Sequence, residues 1–111
     1  VTRGENPMIT EERLEKAMVY LSQTDEPAAN SKALCKKLEK MDRIIRGEAF
    51  LRATGTVAER EAKSVTSEQY REHVSYAENC WADDALLDNK RHTEEVIVEV
   101  WRTMSANLRK V

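Results

Sequence analysis

Past Gly55 the chain has no glycine and no proline: 56 residues run without a backbone breaker to Val111. A stretch of that length, rich in Glu, Lys, Arg, Ala and Leu, reads as long helix, because nothing in it favours a turn. No apolar run approaches the roughly 18 residues of a membrane span, and the N-terminus lacks the hydrophobic core of a signal peptide. Cysteine is scarce too. Cys35 and Cys80 are too few for a disulfide framework, so reduced thiols and a cytoplasmic setting are expected. There is no glycine-rich phosphate loop, no G-x-S-x-G, and no histidine beside a plausible serine or cysteine nucleophile. His73 and His92 stand isolated on a charged helix, which predicts exposed histidines; His73 and Cys80 fall short of the three or four ligands of a zinc site. A non-enzymatic chain with no catalytic residue, no metal and no cofactor is expected.

What is present is charge, in blocks. The net charge is −2. Residues 1–30 carry three basic and six acidic residues, residues 31–63 nine and five, residues 64–100 three and nine, and residues 101–111 three and none. Such segregation bears on partners more than the total does. With 41% apolar and 34% charged residues, the composition is that of one soluble helical domain.

Residues 1–9 read as a flexible leader, with Met8 a candidate start and Val1–Pro7 an alternative start or an added segment. The spacing then predicts helices over 11–23, 26–53, 57–63 and 67–108 in one domain, 10–111. Thr10 caps the first, which carries Leu14, Met18 and Leu21 on one stripe. Thr24-Asp25-Glu26-Pro27 reads as a stop and restart. In the second helix Leu34, Leu38, Met41 and Ile45 are spaced 4, 3, 4, a coiled-coil-like seam. Gly47 permits a bend, and Gly55 suits the residue after a helix. Thr56-Val57-Ala58-Glu59 is a capping box, and Thr66 with Gln69 a second. The last helix has a stripe of Tyr70, Val74, Ala77 and Trp81, then a polar middle, Asp83 to His92, where a kink or exposure is expected. A 42-residue helix spans about 63 Å, against a radius of gyration of about 13 Å for a compact chain of this length.

These pieces predict an all-α fold: an elongated antiparallel helical hairpin of two long helices, plus a short N-terminal helix and a short connector helix. Such a hairpin sets Cys35 and Cys80 at similar heights. It leaves apolar surface open around Val96 to Trp101, so homo-oligomerisation is expected through Leu86, Leu87, Ile97, Val100, Trp101, Met104 and Leu108. No membrane partner is expected.

Two patterns bear on chemistry. Lys32, Lys36, Lys37, Lys40, Arg43 and Arg46 lie within fifteen residues, and Arg52, Arg60 and Lys63 extend the charge into the connector. Clusters of this kind meet phosphate backbones, and Tyr76, off the apolar stripe, could stack on a base. Tyr70, Trp81 and Trp101 fall on stripes and are expected in the packing. Separately, Glu12-Arg13-Leu14-Glu15 and Glu39-Lys40-Met41-Asp42 resemble the metal-binding pattern of all-helical MazG-type nucleotide pyrophosphohydrolases, whose paired carboxylates hold magnesium against a triphosphate. Chance and first-turn dipole effects also account for it.

The stretches LEKMDRIIRGEAFLRATGTVAEREA, SEQYREHVSYAEN and VIVEVWRTMSANLR run as a basic helix, a connector, a helix start and an apolar end. In this order they resemble small helical proteins of tailed phages, of the kind of the UvsY recombination-mediator family, over about two-thirds of the chain. The resemblance implies a ring-like oligomer in the cytoplasm of a bacterial host. It would bind single-stranded DNA and help load a recombinase onto strands covered by single-strand-binding protein. Lys32, Lys36, Lys37, Lys40, Arg43, Arg46, Arg60 and Lys63 would be its DNA contacts. The alternatives are a protein–protein adaptor or inhibitor of a host factor, contacting through the acidic third helix, and the pyrophosphohydrolase.

Overall fold

The computed structural model describes residues 9–109. Three helices account for nearly all of them: α1 Glu11–Arg52, α2 Val57–Thr66 and α3 Glu68–Arg109. The fold is all-α, two long helices joined by a short one, and there is no strand among the described residues. None of these helices is long and apolar enough to cross a membrane. The expected leader at 1–9 lies, apart from Ile9, outside the described residues.

α1 starts where the sequence says it should. Thr10 Oγ1 accepts a hydrogen bond from the backbone N–H of Arg13 at 3.1 Å, and Glu11 and Glu12 sit at the positive end of the helix dipole. The predicted stop at Gln23 does not occur. α1 continues through Pro27 to Arg52 as a single helix of 42 residues, so the short N-terminal helix is the first part of α1. A proline inside a helix removes one backbone hydrogen bond and crowds the preceding turn, at about 3 kcal/mol. Tertiary contacts just before it supply compensation. Arg91 of α3 donates to the Leu21 carbonyl at 2.9 Å and to Thr24 Oγ1 at 2.6 Å, and lies 3.5 Å from the Asp25 carboxylate. The Thr24 hydroxyl in turn donates to the Tyr20 carbonyl. Thr24 and Asp25, read as a capping signal, are instead anchors for an arginine from the opposite helix. Gly47 does not break α1 either.

The connector follows its signals more closely. Gly55 has φ +115°, the left-handed region that favours glycine. Thr56 caps α2, its Oγ1 accepting from the Glu59 N–H at 3.2 Å. α2 runs on to Thr66 instead of ending near Lys63, and the predicted interruption shrinks to one extended residue, Ser67. Ser67, not Thr66, caps α3: its Oγ accepts from the Tyr70 N–H at 3.3 Å. The Thr66 hydroxyl donates back to the Ala62 carbonyl in the last turn of α2. The polar middle of α3 is likewise uninterrupted helix.

The chain divides into two compact units. The terminal unit joins residues 9–28 to residues 86–109; the central unit is Ala29–Ala85. In each, the α1 and α3 segments run antiparallel. In the terminal unit Arg13 meets Glu94, while Leu21 and Thr24 meet Arg91. In the central unit Lys32 meets Asp84, Asp42 meets Tyr70 and Arg52 meets Gln69.

The seams follow alternating steps of three and four, as in coiled coils, yet they are made largely of small and polar residues. In the central unit they comprise Ser31, Cys35, Leu38, Asp42, Ile45 and Ala49 of α1, with Tyr70, His73, Ala77, Cys80 and Asp84 of α3, all at least half-buried. The predicted stripe of α3 was displaced by one position at every other step. Tyr70 and Ala77 are in the seam, but Trp81 is 43% exposed and His73, expected outside, is buried. Leu34, Met41 and Ile45 flank Leu38 half-buried. In the terminal unit Ala17 is buried while Met18 is 55% exposed. Among the described residues the buried apolar ones are Ala17, Ala28, Leu38, Ala49 and Ala77.

Candidate nucleic-acid interface

Seven of the eight basic candidates are exposed; Arg60 is half-buried. All eight belong to the central unit, but they do not act alike. Arg60 and Lys63 of α2 serve the end of α1. Arg60 Nε donates to the Phe50 carbonyl at 3.3 Å while its guanidinium stands 4.3 Å from the Phe50 ring centre, and Lys63 Nζ donates to the Thr54 carbonyl at 2.7 Å. Both are the cations a helix C-terminus attracts. Lys32 approaches Asp84 at 3.4 Å, so the acidic third helix does neutralise part of the cluster. Lys36, Lys37, Lys40, Arg43 and Arg46 make no ion pair or hydrogen bond through their side chains among the described residues. At 3.6 residues per turn, Lys36, Lys40, Arg43 and Arg46 share a wedge of about 120° on α1 with Lys32. Lys37 falls on the other side of the seam. The free cationic surface is therefore four residues wide, interrupted only by Glu39.

Behind this face the seam is polar. The Tyr70 hydroxyl donates to Asp42 Oδ1 at 2.9 Å, and His73 Nε2 lies 3.6 Å from the same oxygen, with the Tyr70 and His73 rings tilted at 6.2 Å. The bond to Asp42, then desolvation and the carboxylate charge, push the Tyr70 hydroxyl above its ordinary range. Cys35 Sγ lies 3.8 Å from the Cys80 carbonyl, so the two cysteines do stand across from one another, as free thiols. Desolvation, with Asp84 beside it, raises the Cys35 thiol, which lowers its thiolate content at neutral pH. In the terminal unit the hydrogen bonds from Arg13 to both Glu94 oxygens, 2.7 Å each, raise the guanidinium still further. Sequence reasoning missed the buried His73 and the Arg91 clamp. The signal that could have found both was the strict three-four step through polar positions.

Asp42, the last acid of the E-x-x-E and E-x-x-D pair, accepts the Tyr70 hydroxyl, and Glu12 lies 3.7 Å from Lys16. Among the described residues no three or more His, Cys, Asp or Glu side chains are grouped to hold a metal ion.

The residues expected at an oligomer interface all lie on α3 in the terminal unit. Leu86 and Leu108 are exposed, at 58% and 75%; Leu87, Ile97, Val100, Trp101 and Met104 are half-buried. Apart from Leu87, which is in the seam, they share an arc of about 100° beside it. On α1 of the same unit Leu14, Met18 and Val19 line a further open hollow. No family model, curated protein or solved structure matches the chain.

Proposed function

We propose that the protein is a non-enzymatic, self-associating accessory factor of phage homologous recombination that binds single-stranded DNA. The observation that carries this reading is the wedge of Lys36, Lys40, Arg43 and Arg46: four exposed cations on one helix face, none with a carboxylate partner among the described residues. Each subunit would track phosphates weakly. Association through the apolar flank of α3, from Leu86 to Leu108, would multiply those contacts. The recombinase and the single-strand-binding protein belong to the same proposal, through the resemblance of residues 34–108 to recombination mediators.

Titration of a labelled oligonucleotide at several salt concentrations tests it. Binding should weaken steeply with salt, with a logarithmic slope near −0.7 per phosphate contacted. Lys36→Glu with Lys40→Glu should abolish binding and leave self-association intact. Binding that is absent, or indifferent to salt, removes the reading.

A second reading, an adaptor contacting a host factor through α3, is favoured by Glu68, Glu72, Glu78 and Asp83. All four are exposed and carry no ion-pair partner in the central unit. Capture of a defined bacterial protein that is lost on reversing these charges, in a chain without DNA affinity, would support it over the first.

A further inference from the structure

The central unit has an apolar groove that neither the basic wedge nor the α3 flank uses. Its volume is about 450 Å³, and Leu34, Met41 and Ile45 of α1 with Tyr76 of α3 form its floor. Tyr76 is 53% exposed. One charged residue stands on each border: Lys37 on the α1 side and Glu72 on the α3 side. Both are exposed, and neither makes an ion pair or hydrogen bond among the described residues. The helices behind them carry opposite charge. Residues 29–52 hold seven basic and three acidic side chains; residues 68–85 hold one basic and five acidic.

We propose that this groove receives the same groove of a second copy of the chain, with α1 of each copy over α3 of the other. A twofold interface is self-complementary: whatever residue i meets on the partner, the partner's copy of i meets in return. A floor flanked by one unpaired cation and one unpaired anion satisfies that condition in one arrangement. The twofold axis must run parallel to the helices, so that Lys37 of each copy faces Glu72 of the other. The alternative axis, across the helices, would set Lys37 against Lys37 and Glu72 against Glu72. The favoured arrangement is a four-helix bundle in which every helix has antiparallel neighbours, which also sets the helix dipoles against one another favourably. It covers Tyr76 and gives large apolar side chains to a unit that buries only one of its own, Leu38. The inference rests on the groove and its border charges, independently of DNA binding and of the α3 flank in the other unit.

A charge-swap experiment on the full chain tests it, read by sedimentation equilibrium at moderate ionic strength. Lys37→Glu alone, or Glu72→Lys alone, places two like-charge contacts in every pair, and the dissociation constant of this pairing should rise about tenfold or more. An equimolar mixture of the two single variants restores opposite charges at both contacts and should associate as the wild type does. So should the double variant. Tyr76→Glu should weaken pairing in every background. A groove that merely braces the single chain cannot be rescued by mixing two chains, so circular dichroism of each variant and the mixing result separate folding from pairing. A monomeric wild type, single variants that associate normally, or a mixture no tighter than its components overturns the proposal. Oligonucleotide binding measured in parallel reports on the basic wedge: its absence with pairing intact defeats the DNA reading alone, and unrescued charge swaps with DNA binding intact defeat this one alone.

Discussion

The two units use the same antiparallel helix pair and hold it together differently. The central unit buries a leucine, two alanines, a serine and a histidine, Leu38, Ala49, Ala77, Ser64 and His73, and has α2 as a third element. Among its described residues the terminal unit buries only Ala17 and Ala28. Its helices are joined by directional polar contacts, the two-toothed Arg13–Glu94 bond and the reach of Arg91 to Leu21, Thr24 and Asp25. Ion pairs that solvent reaches fix register but contribute little net stability, about 0.2–1 kcal/mol each, whereas a buried leucine contributes about 1.5–3 kcal/mol. The unit with less packing is also the one that leaves Leu86, Ile97, Trp101, Met104 and Leu108 beside its seam. A helix pair that cannot bury its apolar flank is stabilised when another surface covers it, which is the physical ground for proposing association through this flank.

Four substitutions would break or sharpen this contrast. The largest effect is expected from Leu38→Ala, which empties the one large buried position of the central unit and should cost about 3 kcal/mol. Urea unfolding would show it, and hydrogen exchange should place the loss in Ala29–Ala85. Pro27→Ala acts on the other side. It restores a backbone donor inside α1 at an exposed position, should stabilise the chain by about 2 kcal/mol, and should slow exchange over residues 20–28. A destabilised variant would mean that the contacts of Arg91 with Leu21, Thr24 and Asp25 depend on the proline.

Tyr70→Phe tests the polar seam of the central unit. The folded state raises the Tyr70 hydroxyl above its unfolded range, so its contribution is complete below about pH 10 and is lost as pH rises through the higher folded value. The substitution should therefore cost about 1 kcal/mol at pH 8, and the gap from the wild type should close in alkali. A gap independent of pH would show that the Tyr70–Asp42 bond is not its source. The smallest effect is expected from Gly47→Ala. A methyl group there meets nothing within 4 Å, so the helix should gain about 0.5–1 kcal/mol with no change in DNA binding.

Local chemistry made much of the architecture legible. Thr10, Thr56 and Gly55 mark element ends because a side-chain oxygen or a missing Cβ acts on its own few residues. Two readings failed for one reason. Thr24-Asp25-Glu26-Pro27 has the pattern of a cap and restart, and Tyr70, Val74, Ala77, Trp81 that of an apolar stripe. In both, the opposite helix decided otherwise, Arg91 by anchoring Thr24 and Asp25, and the α1 seam by drawing in His73 and Cys80 in place of Val74 and Trp81. The basic cluster was visible as eight residues. Its division into two helix-end cations, one ion-paired lysine, one lysine across the seam and four free cations was not, because partners distant in sequence made the division.

Composition and the absence of breakers after Gly55 determined by themselves that this protein is helical, because helix propensity and capping are properties of neighbours along the chain. Tertiary structure alone decided that α1 runs unbroken through Pro27, that the seams are polar, and that Lys37 and Glu72 border one groove. Those outcomes depend on which side chains meet across two helices separated by tens of residues, and the spacing along either helix does not encode that meeting.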